Sequence, residues 1–361
     1  MTSKIQYLKF LPRILFKRGM PLQLIFFVTS RCNLRCSHCF YWRELNHPQK
    51  ELSLEEIKKI AKNSRLNLLW LSLTGGEPFL RPDLAEIASS FCHYGKVANI
   101  SIPTNAQLKD ITFKTTKKIL TRCPNTYISI NISLDGLEKT HDKIRGVKGS
   151  FSKAIATYLK LKELKKEFTN FGLSIQTTMI KENQGELKEL YLFVRDKLKP
   201  DYLNLNLVRG NPRDSDIKKV EIRYYEELLA LMEEDAKKGC WGYFKFPFNR
   251  IALARNFLVY RQIAQTFKNN QYLSPCYSSN LSGVIDENGN VFPCEILEKA
   301  KIGNLRDTNY SLSRLWFSKK NDEIRKRIAK NCFCTYECAV SINVLFNPRL
   351  YQLMLLKALK F

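Results

Sequence analysis

The chain is short of acidic residues: 34 Asp and Glu stand against 59 Lys and Arg in 361 residues, a net charge of +25. Such an excess favours polyanionic partners, whether nucleic acid, anionic lipid head groups or a phosphorylated substrate. The basic residues are spread through stretches such as LKLKELKKE (159–167) and IRKRIAK (324–330), which read as solvated helix faces. No apolar run approaches the ~20 residues needed to cross a bilayer. No secretory signal is found either, because Lys4, Lys9, Arg13, Lys17 and Arg18 interrupt the apolar positions of residues 1–18. The eleven cysteines therefore read as thiols of a reducing cytoplasm, open to metal, and not as a disulfide framework. Internal sequence repeats and low-complexity segments are also lacking.

What is present is a core, 44% apolar residues, and a β-then-α rhythm. Leu22 to Val28 (LQLIFFV) reads as a buried strand. Ser53 with Glu56 forms a capping box for a helix running to about Arg65, and LLWLSL (68–73) is a second strand. Helices near 82–94 and 109–122, strands near 97–102 and 127–134, a helix over 150–168, a strand at 173–179, a helix at 186–198 and a strand at 202–208 complete six units. Apolar strands in that alternation predict a parallel α/β sheet curled into a full or partial barrel. Residues 223–238 and 251–267 are helical, and a hairpin is expected from 283–285 and 291–292 around Glu287-Asn288-Gly289-Asn290.

The stretch RCNLRCSHC (31–39) follows the first strand, at the strand end where α/β barrels keep their chemistry. It brings Cys32, Cys36 and Cys39 within eight residues. A Cys₃His zinc site using His38 is one reading, although adjacent His38 and Cys39 meet one tetrahedral ion awkwardly. The other is a [4Fe-4S] cluster with three cysteine ligands and one open iron. Later strand ends carry Thr74-Gly75-Gly76-Glu77-Pro78, Thr104-Asn105, and Ser133 with Asp135, followed by HDKIRG with Arg145. Two glycines allow close backbone approach, Glu77 can accept from an ammonium, and Arg145 is a fork donor for a carboxylate. His141 and Asp142 read as loop stabilisers.

The Cys32-x3-Cys36-x2-Cys39 spacing with Phe40 after it resembles the signature of the radical S-adenosylmethionine (SAM) enzymes. That resemblance implies a partial (β/α)₆ TIM-like barrel whose open iron is chelated by SAM, with reductive cleavage to a 5′-deoxyadenosyl radical that abstracts substrate hydrogen. It further implies that Gly75, Gly76 and Glu77 meet the methionyl amino group, that Thr104, Asn105, Ser133 and Asp135 reach the cofactor, and that Arg145 pairs with its carboxylate. An electron donor such as flavodoxin or ferredoxin follows from the same chemistry. No general acid or base is assigned.

Downstream, Cys276, Gly289-x4-Cys294, IGNLRD (302–307) and Cys332-x-Cys334-x3-Cys338 resemble the SPASM or twitch auxiliary-cluster region. Five cysteines predict one auxiliary [4Fe-4S] cluster, ligated by Cys276, Cys294 and Cys338 with Cys332 or Cys334 as the fourth; a four-cysteine zinc staple is the alternative. Cys92, Cys123 and Cys240 read as isolated buried thiols.

The expected organisation is a basic amphipathic segment (1–20), a radical SAM barrel (21–210), connecting helices (211–270), a small cysteine-rich α+β extension (271–340) and an apolar basic C-terminal helix (341–361). Residues 1–20 are too few for a leader-binding domain ahead of the barrel. The expected substrate is a peptide or protein, with a lipid or lipid-linked saccharide at the membrane surface as the alternative, since both termini are basic and apolar. The expected location is the cytoplasm, extending to the inner face of the membrane. A zinc-stapled nucleic-acid-binding protein is the reading of another class, and it leaves Gly75 to Glu77 without a role.

Overall fold

The computed structural model describes residues 5–17, 19–47, 50–64, 66–239, 248–271 and 273–361, so Lys4, Arg18 and Cys240 lie outside the described residues. Among the described residues, nine strands form one sheet: β1 Gln23–Thr29, β2 Trp70–Gly75, β3 Asn99–Thr104, β4 Tyr127–Ser133, β5 Phe171–Met179, β6 Tyr202–Leu207, β7 Ser282–Ile285, β8 Asn290–Phe292 and β9 Gly303–Asn304. Their spatial order is β6-β5-β4-β3-β2-β1-β7-β8-β9, parallel from β6 through β7 and antiparallel thereafter. The six barrel strands and the helices between them fall where the alternation predicts. The sheet does not close on itself, which matches a partial barrel.

The expected hairpin exists, but it is part of the barrel's sheet. β7 lies parallel to β1, with Gln23 opposite Ser282 and Phe26 opposite Ile285. A six-stranded open barrel leaves β1 with one unpaired row of backbone donors and acceptors, and β7 satisfies it.

β1 is buried on both faces, as a central parallel strand should be. Leu24, Phe26 and Val28 join the main core under the helices, while Ile25 and Phe27 pack inward against Val284, Cys294 and Tyr336. The inward faces of β3 to β6 are polar: Ser101, Ser129, Asn131, Ser174 and Asn204 all line a central cavity. A barrel filled with apolar layers has no such space; this one is built to be wet or occupied.

The helix Leu54–Asn63 carries the predicted capping box, Glu56 N donating to Ser53 Oγ at 3.2 Å and Ser53 N donating to Glu56 Oε2 at 2.8 Å. A short helix over Glu138–Arg145, absent from the sequence reading, ends at Gly146 with φ 72°, and so delivers Arg145 to the cavity. The helix expected over 150–168 spans Ser150–Lys162 and tightens into a 3₁₀ turn at Glu163–Lys166. The long helix Asn249–Asn269 packs against Glu337–Leu345 and Tyr351–Ala358 and sends Ala252, Arg255 and Asn256 into the cavity. No described helix is long and apolar enough to cross a membrane.

Candidate active site

Cys32, Cys36 and Cys39 all line the central cavity, whose volume is about 400 Å³. Their loop is tied down on three sides. Cys32 N donates to Asn46 Oδ1 at 2.9 Å and Asn46 Nδ2 returns a bond to Cys32 O at 3.0 Å. Ser37 N donates to Ile144 O at 2.9 Å, and Glu77 N donates to Arg31 O at 2.8 Å. Burial pushes the Cys32 thiol up to about 12 and Cys39 to about 11, so an electropositive group must take these sulfurs before they ionise near neutrality. Among the described residues no three His, Cys, Asp or Glu side chains converge on one ion-sized point. Three sulfurs spread along one loop suit a multi-iron cluster, where each ligand takes a different iron.

The glycine pair of β2 stands next to this loop. A Cβ on Gly75, whose φ is 119°, would fall on the carbonyl of Thr29, and one on Gly76 on the carbonyl of Arg31. Only glycine permits that approach, and it leaves backbone exposed along the cavity wall. Glu77 is buried, and its carboxylate is already engaged: Oε1 accepts from Phe79 N at 3.1 Å and Thr104 Oγ1 at 2.8 Å, and Oε2 from Asn105 N at 2.7 Å. Its first task is thus to lock the ends of β2 and β3 together, although burial against those bonds still pushes it up to about 7. Asn105 Nδ2 in turn donates to Asn33 Oδ1 at 2.7 Å, fixing the β3 end to the cysteine loop.

Thr104, Asn105, Ser133 and Arg145 line the cavity with Gly75, Gly76 and Glu77; Asp135 does not. Fully buried, Asp135 accepts from Thr178 N at 2.9 Å and pairs with Arg145 Nη2 at 2.5 Å. The other arm of Arg145 points at Cys36 Sγ, 3.6 Å away. Asp135 therefore positions Arg145, and Arg145 supplies positive charge to the cysteine loop. His38 lies 3.8 Å from Asp135 Oδ2, and burial pulls its pKa down to about 4, so it stays neutral. His141 Nδ1 accepts from Asp135 N at 3.1 Å, while Asp142 accepts from Gly149 N, Ser150 Oγ and Phe151 N, the loop-stabilising roles expected.

The far wall escaped the sequence reading. Arg209 follows β6, lies over the rings of Phe40 and Tyr336 at 5.0 and 4.6 Å, and faces Glu295 Oε2 at 3.8 Å. Neither Arg209 Nε nor Glu295 Oε2 has a hydrogen-bond partner, though both atoms are buried. Arg255 lies over Trp70 at 5.2 Å and donates to Ser341 Oγ. An arginine after a strand and a glutamate beside a ligand cysteine leave no pattern in a sequence; only the fold brings them together.

The five downstream cysteines divide. Cys276 and Cys332 are close neighbours, and their interaction lowers the Cys276 thiol and raises that of Cys332. Cys294 feels the charges of Cys334 and Cys276, Cys332 those of Cys276, Cys334 and Cys294, and Cys334 that of Cys276, so all six pairs among these four thiols interact. Cys338 instead lines the central cavity beside Glu337, 3.5 Å from its Oε2, with Glu295 and Arg209 as its charged neighbours. Cys334 and Cys338 both pack on the buried cluster that holds Cys294, and of the five only Cys338 also lines the central cavity. Cys92 and Cys123, read as isolated, are neighbours where helix 84–94 meets the end of helix 109–122, and their interaction lowers the Cys92 thiol and raises that of Cys123.

Residues 26–194 match the family model described as the radical SAM superfamily, and 276–339 that of an iron-sulfur cluster-binding domain, SPASM. The antilisterial bacteriocin subtilosin biosynthesis protein AlbA of Bacillus subtilis is 32% identical over 184 residues, 49% of this chain and 37% of that protein. An AdoMet-dependent heme synthase of Methanosarcina barkeri is 27% identical over 323 residues, 85% of this chain and 84% of that one. The fold is similar to that of native anSMEcpe with bound AdoMet and Cp18Cys peptide, with TM-score 0.61 at 16% identity over 94% of this chain and 99% of that chain.

Proposed function

The chain belongs to the radical SAM superfamily and carries a SPASM iron-sulfur domain, and from that premise we propose that it is a peptide- or protein-modifying radical SAM enzyme. The observation that carries the reading is the union, around one cavity, of three cysteine thiols, the Gly75-Gly76 backbone and the polar ends of β3 and β4. Its cofactors are a [4Fe-4S] cluster, an auxiliary cluster and SAM; when bound, they supply a 5′-deoxyadenosyl radical that abstracts a substrate hydrogen.

Cys32, Cys36 and Cys39 would hold the first cluster, and Cys276, Cys294, Cys332 and Cys334 the auxiliary one. Arg145 offsets the negative charge of the thiolates at Cys36. Gly75 and Gly76 offer backbone to the amino-acid end of SAM, and Thr104, Asn105 and Ser133 offer short polar groups to the remainder. Glu77 and Asp135 hold this wall in register. Inward-facing serines and asparagines on β3 to β6 present hydrogen bonds to whatever lies beyond the cofactor.

Two features favour a peptide. AlbA serves bacteriocin biosynthesis, and anSMEcpe holds a peptide beside AdoMet. The unpartnered Arg209 Nε–H and Glu295 Oε2 also match an amide, which offers one acceptor and one donor. A second reading rests on the heme synthase relative: Arg209 and Arg255 would suit the carboxylates of a heme precursor. The test is to incubate the anaerobically reconstituted protein with dithionite, SAM and either candidate peptides or heme precursors. Mass change confined to a peptide supports the proposal; change confined to the tetrapyrrole overturns it. A reduced flavodoxin or ferredoxin should replace dithionite.

A further inference from the structure

Half of the large apolar side chains that stand exposed among the described residues, eight of sixteen, belong to the two ends of the chain. At the N-terminal end, Leu8, Leu11, Leu15 and Phe16 point outward, Leu15 76% exposed, while Tyr7 and Phe10 point in. Tyr7 Oη donates to Asn99 Oδ1 at 3.1 Å, and Phe10 packs on Leu22, Leu69 and Ala98, the residues leading into β1, β2 and β3. This segment therefore covers the lower rim of the barrel, opposite the cysteine loop.

The C-terminal helix Tyr351–Ala358 buries Met354 and Ala358 in the core but leaves its leucines outside. It buries Lys357, which pairs with Glu233, and exposes Leu353, Leu355 and Leu356, with Leu359 just beyond at 79%. A helix stabilised only by the core would place its leucines inward and its lysine in water. Both ends arise from one patch: Leu345 and Phe346, which lead to this helix, pack with Tyr7, Phe10 and Tyr277, and Tyr351 Oη donates to Leu345 O at 3.1 Å. Neither end carries an acidic residue, since none occurs before Glu44 or after Glu337. Lys9, Arg13, Lys17, Arg349 and Lys360 are their basic residues besides the paired Lys357 and those outside the described stretch.

We propose that the lower rim of the barrel docks on an anionic membrane through these two terminal segments. Outward leucines enter the head-group boundary and cations such as Arg349 and Lys360 meet lipid phosphates, while Lys9 and Arg13 brace the N-terminal segment through backbone carbonyls; the two signals together give the stable attachment that neither gives alone. A protein partner would need acidic complementarity across two separate segments, whereas a bilayer supplies it everywhere. Docked in this way, the cysteine loop faces water, so the substrate arrives from the aqueous side.

The test is co-sedimentation of the full, cluster-loaded protein with phosphatidylcholine vesicles, with and without phosphatidylglycerol. Partition should rise about tenfold or more with the anionic lipid and fall as salt is raised. The combined Leu353→Glu, Leu356→Glu and Leu359→Glu variant should lose it while keeping 5′-deoxyadenosine formation, and the milder Lys360→Glu should weaken it. Wild-type protein that stays in the supernatant with anionic vesicles at low salt overturns the proposal. So does a triple variant that partitions as wild type, or a wild-type dimer in light scattering that the triple variant abolishes with vesicle binding unchanged.

Discussion

Arg145 Nη1 stands 3.6 Å from Cys36 Sγ while Nη2 holds Asp135 Oδ2 at 2.5 Å, so one buried guanidinium joins the cysteine loop to the end of β4. Arg145→Met would strand the Asp135 carboxylate in the interior, a cost of about 3–5 kcal/mol. Arg145→Lys keeps the charge and loses the fork. The expected order of iron bound per chain is wild type, then Lys, then Met. Equal iron in all three would show that Arg145 does not act on the cluster loop.

Gly76→Ala should be worse than Gly149→Ala in spite of the milder backbone conformation at Gly76. A Cβ at Gly76 meets the Arg31 carbonyl, whereas at Gly149 no atom lies within 4 Å and only the positive φ of 78° is strained. The Gly76 variant should lose at least about tenfold in SAM affinity by equilibrium dialysis, and the Gly149 variant little.

A polar contact also spans 246 residues: Tyr41 Oη donates to Glu287 Oε2 at 2.5 Å, joining the cysteine loop to the β7–β8 turn. Tyr41→Phe leaves a buried carboxylate short of one bond, worth about 1–3 kcal/mol in urea unfolding. Adding Glu287→Gln should recover part of that loss, since the amide tolerates burial better than the charge. A double variant no more stable than Tyr41→Phe alone would contradict this pairing.

Acid sensitivity should come from Glu56, which accepts from Arg306 Nε at 2.7 Å and so ties the capping-box helix to the residues after β9. The Arg306 hydrogen bond and charge hold this carboxyl down at about 2, against an ordinary 4.5. With the folded value depressed, the contribution is complete above pH 4.5 and disappears as pH falls toward 2. Glu56→Gln should cost about 1–2 kcal/mol at pH 6, and the difference from wild type should shrink steadily below pH 4.5. A pH-independent difference would contradict the assignment.

The downstream thiols make a sharp comparison. Cys294→Ala should remove the auxiliary cluster, and Cys338→Ala should leave it in place, read as iron per chain and by the paramagnetic signal of the reduced protein. Loss of the auxiliary signal in the Cys338 variant would return that residue to the ligand set.

Why some of this was legible in the sequence is physical. The β/α rhythm and the Ser53–Glu56 cap are local, and the cysteine loop and the glycine pair each sit within a few residues. What stayed hidden depends on distant pairings. β7 reads as half of a local hairpin, yet it completes the hydrogen bonding of β1 more than 250 positions away. Asp135 looks like a strand-end polar group facing a ligand, and only the turn of helix 138–145 shows that it faces Arg145. Cys338 fits the spacing of a cluster motif, and only the helix Glu337–Leu345 that carries it shows that it also lines the cavity. The C-terminal helix was visible as apolar residues with scattered lysines, but the burial of Lys357 beside Met354 and Ala358 depends on Glu233, on a helix more than 100 residues earlier.

The most direct test of the central claim is 5′-deoxyadenosine formation under dithionite by wild type and by Cys36→Ala, with metal analysis of both. The wild type should hold about eight irons and the variant about half of that, and SAM should turn over in the wild type alone. Zinc as the only bound metal, or retained SAM cleavage by Cys36→Ala, would contradict that claim.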